Sequence, residues 1–380
     1  MTDFANRALL PAGLRDILPP DAAFEAAVVN HLMTHFAGQG FERVKPPLIE
    51  FEESLLDGAG AATSSQTFRV MDPLSQRMMG LRADMTPQVA RIATTRLAQV
   101  PRPLRLSYAG QVLRVKGSQL RPERQFGQAG IELIGSDSPV ADAEVVVLTA
   151  EALGDLGVPG VTVDLALPTL VPVLFGELGL DGAVADRLRA ALDHRDAAVV
   201  AEVGGKAAKL LSALIAAAGP ADRALAALTE LALPPAAAAE RDRLARVVEL
   251  VRADLPDLAL TVDPVENRGF EYHTGVAFTL FARNIGAELG RGGRYLAGGT
   301  EPATGATLFM DSVLAGLVER RPAKRVFVPA GTPRAWAQAL RIQGWVTVAG
   351  LDAGVDPTAE AKRQGCGHLL DGSGGVVDVQ

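Results

Sequence analysis

Eight polar side chains have types suited to holding a small zwitterion: Asp84, Thr86, Arg114, Gln128, Glu132, Arg268, Tyr272 and His273. Asp84 can pair with an ammonium group, and Arg268 can hold a carboxylate through two parallel hydrogen bonds. Glu132 can accept from a nitrogen heterocycle. The competing reading is a scatter of surface ion pairs, each contributing little. Spacing alone does not separate the two.

The elements that would position these residues are legible from pattern. Thr86-Pro87 reads as an N-cap with proline in the first turn, placing Asp84 and Thr86 at a helix entrance. Leu104, Leu106 and Tyr108 alternate with polar residues, as do Leu113 and Val115 with Arg114 and Lys116. Beyond a polar turn, Ala129, Ile131 and Leu133 alternate with Gln128, Gly130 and Glu132. Two antiparallel strands follow, each with one apolar and one polar face. The polar face either lines a solvent-open site or is an ordinary wet surface. Strand-like sequence returns at 258–262 and 270–281, beside Arg268, Tyr272 and His273. Residues 290–295 read as a glycine-dense loop, followed by an apolar helix from about 307 to 318.

Outside that region, Phe24, Val28, Leu32 and Phe36 predict an N-terminal helix, and Pro46-Pro47 keeps 41–50 extended. The stretch 166–257 is Ala- and Leu-rich and punctuated by Gly and Pro, as a helical insertion would be. Arg320-Arg321-Pro322 reads as a linker to a short α/β tail over 323–380. The expected class is α+β, with six or seven mostly antiparallel strands flanked by helices. The discontinuous core spans 1–165 and 258–320.

Of 380 residues, 48% are hydrophobic, which excludes disorder as the main reading. One cysteine, Cys366, excludes a disulfide framework or a cysteine-rich zinc module. No uncharged apolar run approaches the ~20 residues of a membrane span, and the N-terminus carries no apolar signal segment; a cytoplasmic protein is expected. A net charge of −7 argues against a dedicated nucleic-acid binder. Gly204-Gly205-Lys206 is followed by alanine, so no phosphate loop forms. His31 and His35 have a ligand-like spacing without a third ligand, and neither metal nor cofactor is expected.

Several segments together resemble the histidyl-tRNA synthetases. Pro11-Ala12-Gly13-Leu14-Arg15-Asp16 is similar to their N-terminal signature, and 41–50 to class II motif 1, which builds a dimer interface. Leu81-Arg82-Ala83-Asp84-Met85-Thr86 resembles the segment holding the ammonium group, and 125–132 the strand after motif 2. Residues 268–275 and Gly292-Gly293-Arg294-Tyr295 resemble the two histidine-specific signatures. The resemblance implies a class II synthetase-like sheet in which Asp84, Thr86 and Gln128 contact the backbone groups of histidine. Glu132 would contact the imidazole and Arg268 the carboxylate side, with Arg114 and Tyr272 completing the set. His273 stands where the family usually has a second tyrosine.

Departures cluster on the nucleotide side. Motif 2 keeps Arg114 but has Lys116 where the family has Glu, and an ammonium accepts no hydrogen bond. Motif 3 runs from Gly305 through Phe309 to Asp311-Ser312, with serine in place of the nucleotide-clamping arginine. A mostly intact histidine pocket beside a broken nucleotide pocket resembles the regulatory-subunit paralogues of ATP phosphoribosyltransferase. That implies a hetero-oligomer with a short-form catalytic subunit, built on a homodimer core. Histidine would be the allosteric feedback effector, and neither tRNA nor membrane a partner. The alternatives are a divergent active histidyl-tRNA synthetase and a stand-alone amino-acid sensor.

Overall fold

The alternation across 104–134 folds into a ten-residue antiparallel ladder, with Leu106 opposite Glu132 and Tyr108 opposite Gly130. A computed structural model of the chain describes residues 9–117, 121–267, 272–317 and 324–379. The ladder lies within a sheet of nine strands: β1 (Glu42–Arg43), β2 (Leu104–Leu113), β3 (Gln125–Ile134), β4 (Val161–Ala166), β5 (Gly219–Pro220), β6 (Ala259–Asp263), β7 (Ala277–Ala282), β8 (Gly290–Ala297) and β9 (Glu301–Phe309). Their order is β1-β2-β3-β9-β8-β7-β4-β6-β5, and only β1–β2 and β4–β6 pair in parallel. Nine strands replace the six or seven expected because β1 and β5 have two residues each, too few to leave a period.

The ladder's register overturns the expected division of its faces. Leu104, Leu106 and Tyr108 share a face with Gln128 and Glu132, while Ala129, Ile131 and Leu133 point the other way. The two apolar sets therefore belong to different cores. The first packs with Met85, Val89 and Ala93 around helix α2 (Thr86–Thr95). The second packs under α1 (Asp21–Gly38) and α3 (Pro139–Asp155), in a cluster that continues through the helices of 170–254. With both faces covered, the polar face is neither wet nor solvent-open. Gln128 and Glu132 have no exposed surface.

Residues 290–297 form a strand rather than a loop. Their glycines permit close packing: a Cβ on Gly293, whose φ is +153°, would sit 2.5 Å from the His273 ring. The helix expected from 307 begins later, as α4 (Met310–Gly316). Residues 301–309 are held as β9 between β8 and β3, so ladder pairing on two sides overrides their helical look. The strand reaching Arg114 and Lys116 ends at Leu113, leaving both just past the sheet.

The chain divides near residue 318 into two compact units. The smaller has a four-stranded sheet in which Arg325–Val328 pairs in parallel with Val346–Ala349 and His368–Leu370, and His368–Leu370 pairs antiparallel with Val376–Asp378. Cys366 is buried there against Phe327 and Ala361. Among the described residues no helix is long and apolar enough to cross a membrane.

Behind β8, Arg294 is buried and bonds Asp142 of α3 at 2.8 Å, and it also donates to the Ser136 and Ser138 carbonyls. Removing one partner of such a pair strands a charge in the interior. Arg294→Met should therefore lower unfolding free energy by about 3–5 kcal/mol, read from urea denaturation. A loss below about 1 kcal/mol would show that Asp142 finds other compensation.

Candidate functional site

Arg82 fixes the segment before α2. Its guanidinium is buried and donates to the carbonyls of Gln111 (2.8 Å) and Pro46 (3.0 Å), with burial pulling its pKa below the ordinary value. Two residues on, Asp84 Oδ1 accepts from the Thr86 amide at 2.9 Å. Thr86, expected as the N-cap, is instead the first residue of the helix, and Met85 precedes it as N-cap without a side-chain cap bond. The Thr86 hydroxyl turns toward the sheet, 3.2 Å from the Tyr108 hydroxyl.

On the sheet, Gln128 Oε1 accepts from the Met85 amide at 3.1 Å, joining β3 to the helix entrance. Four residues further along, Glu132 receives two phenol hydroxyls: Tyr108 donates to Oε1 (3.1 Å) and Tyr295 to Oε2 (2.9 Å). The Tyr108 oxygen also lies 2.7 Å from Thr307 Oγ1. Glycine is required at 305, directly opposite Glu132, because a Cβ there would collide with the carboxylate. Burial raises the Glu132 pKa to about 8; hydrogen bonds from Tyr295, Thr86 and Tyr108 oppose the rise, and Asp84 adds to it. Both tyrosine hydroxyls are pushed well above their ordinary values, chiefly by the same burial.

Asp84, Thr86, Gln128 and Glu132 therefore form one connected group. Arg114 borders it, with Nε 3.4 Å from the Ala83 carbonyl and its guanidinium 5.0 Å from the Phe126 ring. Burial lowers its pKa, against the field of Asp84 and with that of Arg121 and Arg291. Tyr272 stands edge-on to Tyr295 at 6.3 Å and stacks with His273 at 4.0 Å. His273 is buried against Gly293, so the imidazole fills the space a Cβ would need. Arg268 lies outside the described residues. A cavity of about 480 Å³ opens further along the same sheet face, lined by Asp164, Thr261, Thr279 and Arg291 among others. Among the described residues no cluster of His, Cys, Asp or Glu could hold a metal; His35 instead pairs with Asp155.

A family model described as histidyl-tRNA synthetase matches residues 13–313. A protein of Paramagnetospirillum magneticum named ATP phosphoribosyltransferase regulatory subunit is 78% identical over 380 residues, covering 100% of both chains. The chain belongs to the ATP phosphoribosyltransferase regulatory subunit family. Another member, from Rhodospirillum centenum, is 59% identical over 376 residues, or 99% of this chain and 97% of that one. The crystal structure of an ATP phosphoribosyltransferase regulatory subunit/histidyl-tRNA synthetase from Bacillus halodurans matches with a TM-score of 0.81, covering 94% of this chain and 96% of that one. At 23% identity that match speaks for the fold, a class II synthetase-like α+β architecture.

Three further members of the candidate site are not marked by the sequence pattern: Tyr108, Tyr295 and Thr307. Tyr108 was counted with Leu104 and Leu106 as apolar, and only the register shows that this row faces Glu132. Tyr295 closes the Gly-Gly-Arg-Tyr segment, where a phenol beside two glycines was the available signal.

The raised Glu132 pKa has a stability consequence with a definite sign. The unfolded carboxyl ionises near 4.5, whereas the folded one keeps its proton to about 8. Between those values the unfolded state is the one that has released a proton, so stability falls as pH rises, by a few kcal/mol in order of magnitude. Glu132→Gln should flatten this decline in urea midpoints measured at about pH 5 and about pH 8. Parallel declines in the two proteins would place the proton elsewhere.

Proposed function

We propose that this chain is the non-catalytic regulatory subunit of an ATP phosphoribosyltransferase, required by a short-form catalytic chain, and that free histidine is its feedback effector. The carrying observation is an asymmetry between two groups of residues. Asp84, Thr86, Gln128 and Glu132 form one buried hydrogen-bonded cluster with Tyr108 and Tyr295, of a polarity suited to an ammonium group and an imidazole. On the other side Lys116 is exposed past the strand end and Ser312 supplies neither charge nor a planar fork. Losing one electrostatic stabiliser costs about 10²–10³ in rate, and two substitutions there argue against amino-acid activation.

In this reading Arg268 and Arg114 face the carboxylate side of the effector, and Tyr272 and His273 border its ring. Histidine would favour one conformation of the subunit, and the partner's active site would respond through a coupling of ~1–3 kcal/mol, reciprocal by necessity. The homodimer core would form about the motif 1 segment. Support comes from Leu48, Val70, Met71 and Met78, exposed apolar residues on and beside the three-stranded sheet of Ile49–Phe51, Phe68–Met71 and Met78–Leu81. A cytoplasmic hetero-oligomer without tRNA completes the proposal.

Histidine titration of the assembled complex tests the pocket. Glu132→Ala and Asp84→Asn should each raise the half-inhibitory concentration about tenfold or more, the equivalent of ~1.4 kcal/mol. Unchanged inhibition in both variants would refute the assignment. Histidine-dependent exchange of pyrophosphate into ATP by the chain alone would instead favour a divergent synthetase.

A further inference from the structure

Aspartate is depleted in β-strands, yet Asp164 sits in the middle of β4, an interior strand paired with β7 on one side and β6 on the other. Its register neighbours are polar as well. Thr279 of β7 and Thr261 of β6 lie directly opposite it, and Arg291 of β8 lies opposite Thr279. Residues paired in this way share a face, so the four side chains form one row across the sheet. That row floors the cavity of about 480 Å³, a volume within the ~300–1,000 Å³ of small-molecule sites.

The arginines around the cavity are already engaged. Arg195 pairs with Asp263, which also accepts from the Val265 amide at 3.1 Å, and Arg291 pairs with Glu288 at 2.7 Å. Asp164 differs: it is exposed to the cavity and has no hydrogen-bond partner among the described residues. Partial burial raises its pKa, and so does Asp263; Arg195 opposes the rise and Glu266 adds to it. The flanking hydroxyls are unpaired too. Among the described residues neither Thr279 nor Thr261 has a hydrogen-bond partner, and Thr261 Oγ1 is shielded from solvent. A buried hydroxyl without a partner is costly, and a staggered turn about χ1 would move it to another side of its strand.

Adjacent strands lie ~4.8 Å apart, so Asp164 and a flanking hydroxyl can reach one head group. An ammonium carries three donors and no acceptor, which suits a carboxylate beside hydroxyls. Phe281, two residues beyond Thr279 on the same face, also lines the cavity and offers an apolar wall. We propose that this cavity is a ligand site, separate from the group around Glu132, for a small primary amine with an aliphatic stem. The ammonium sits at Asp164 and Thr279, with Thr261 as a further acceptor, and the stem lies along Phe281. Nothing in this assignment depends on what Glu132 binds.

Calorimetric titration of the full chain with n-butylammonium tests it, with n-butanol as the neutral match. L-histidine is kept in excess, so that the amine reports on this cavity and not on the Glu132 group. The native chain should bind the amine saturably and the alcohol not at all. Asp164→Asn should weaken amine binding at least about tenfold, and Thr279→Val about threefold or more. Asp84→Asn should bind the amine like the native chain, which separates failure here from failure of the histidine reading. No saturable binding by the native chain would overturn the proposal, as would equal binding of n-butanol. So would native affinity in both Asp164→Asn and Thr279→Val, or a loss confined to Asp84→Asn.

Discussion

A carboxyl group with no access to water must be neutral or closely compensated, and Glu132 meets that constraint with two phenols. Its surroundings follow from it. Tyr108 and Tyr295 reach it from strands on either side, so β2, β3, β9 and β8 must hold the register that brings 108, 132, 305 and 295 onto one face. Gly305 must lack a Cβ, since the carboxylate lies over it. Thr307 and Thr86 then complete a chain of hydroxyls from the sheet to the start of α2. A slip of one residue in any of these ladders would turn the group to the opposite face.

Charges of both signs border this group, and Asp84 acts on both Arg114 and Arg291. Asp84 and Glu132 supply acidic groups at one end, whereas Arg114, Arg121 and Arg291 approach Phe126 and Phe309 at the other. Two of these arginines are already engaged: Arg121 by Asp311, and Arg291 by Glu288 at 2.7 Å. A cation arriving beside Glu132 would favour its ionised form and draw its pKa down. By reciprocity, a deprotonated Glu132 would hold that cation more strongly. Proton occupancy of one buried carboxyl would thus belong to the same equilibrium as the binding of such a cation.

Much of this was legible in the residues. The α+β class, the N-terminal helix and the strands around 104–134 are legible in the pattern, and so are the polar types of Asp84, Gln128 and Glu132, which the structure places in one connected group. Register was not legible: the pattern gives each strand an apolar row, 104/106/108 and 129/131/133, but not that the two rows lie on opposite faces of the sheet. Ladder partners were also invisible, which is why 290–297 looked like a loop and 307–309 like helix. Glycine read locally signals a turn, but at 293 and 305 it marks the place where another side chain occupies the missing Cβ's volume. The guanidinium of Arg121 left no signal, because its partners at 288, 309, 311 and 312 are distant in sequence.

Transmission from the pocket to the rest of the unit has a physical route in the alternation of β8. Tyr295 faces Glu132, and its neighbour Arg294 points through the other side of the sheet to Asp142 of α3. Asp142 also lies 3.4 Å from Arg243, on the helix Pro235–Asp254. A displacement of the β8 backbone by a ligand at Tyr295 would therefore disturb a buried network that joins Arg294 to Asp142, Thr304 and Arg243. Buried pairs of this kind tolerate small shifts poorly, because either partner alone is costly. A coupling between the cluster and the helical segment would for that reason run through two adjacent residues facing opposite ways.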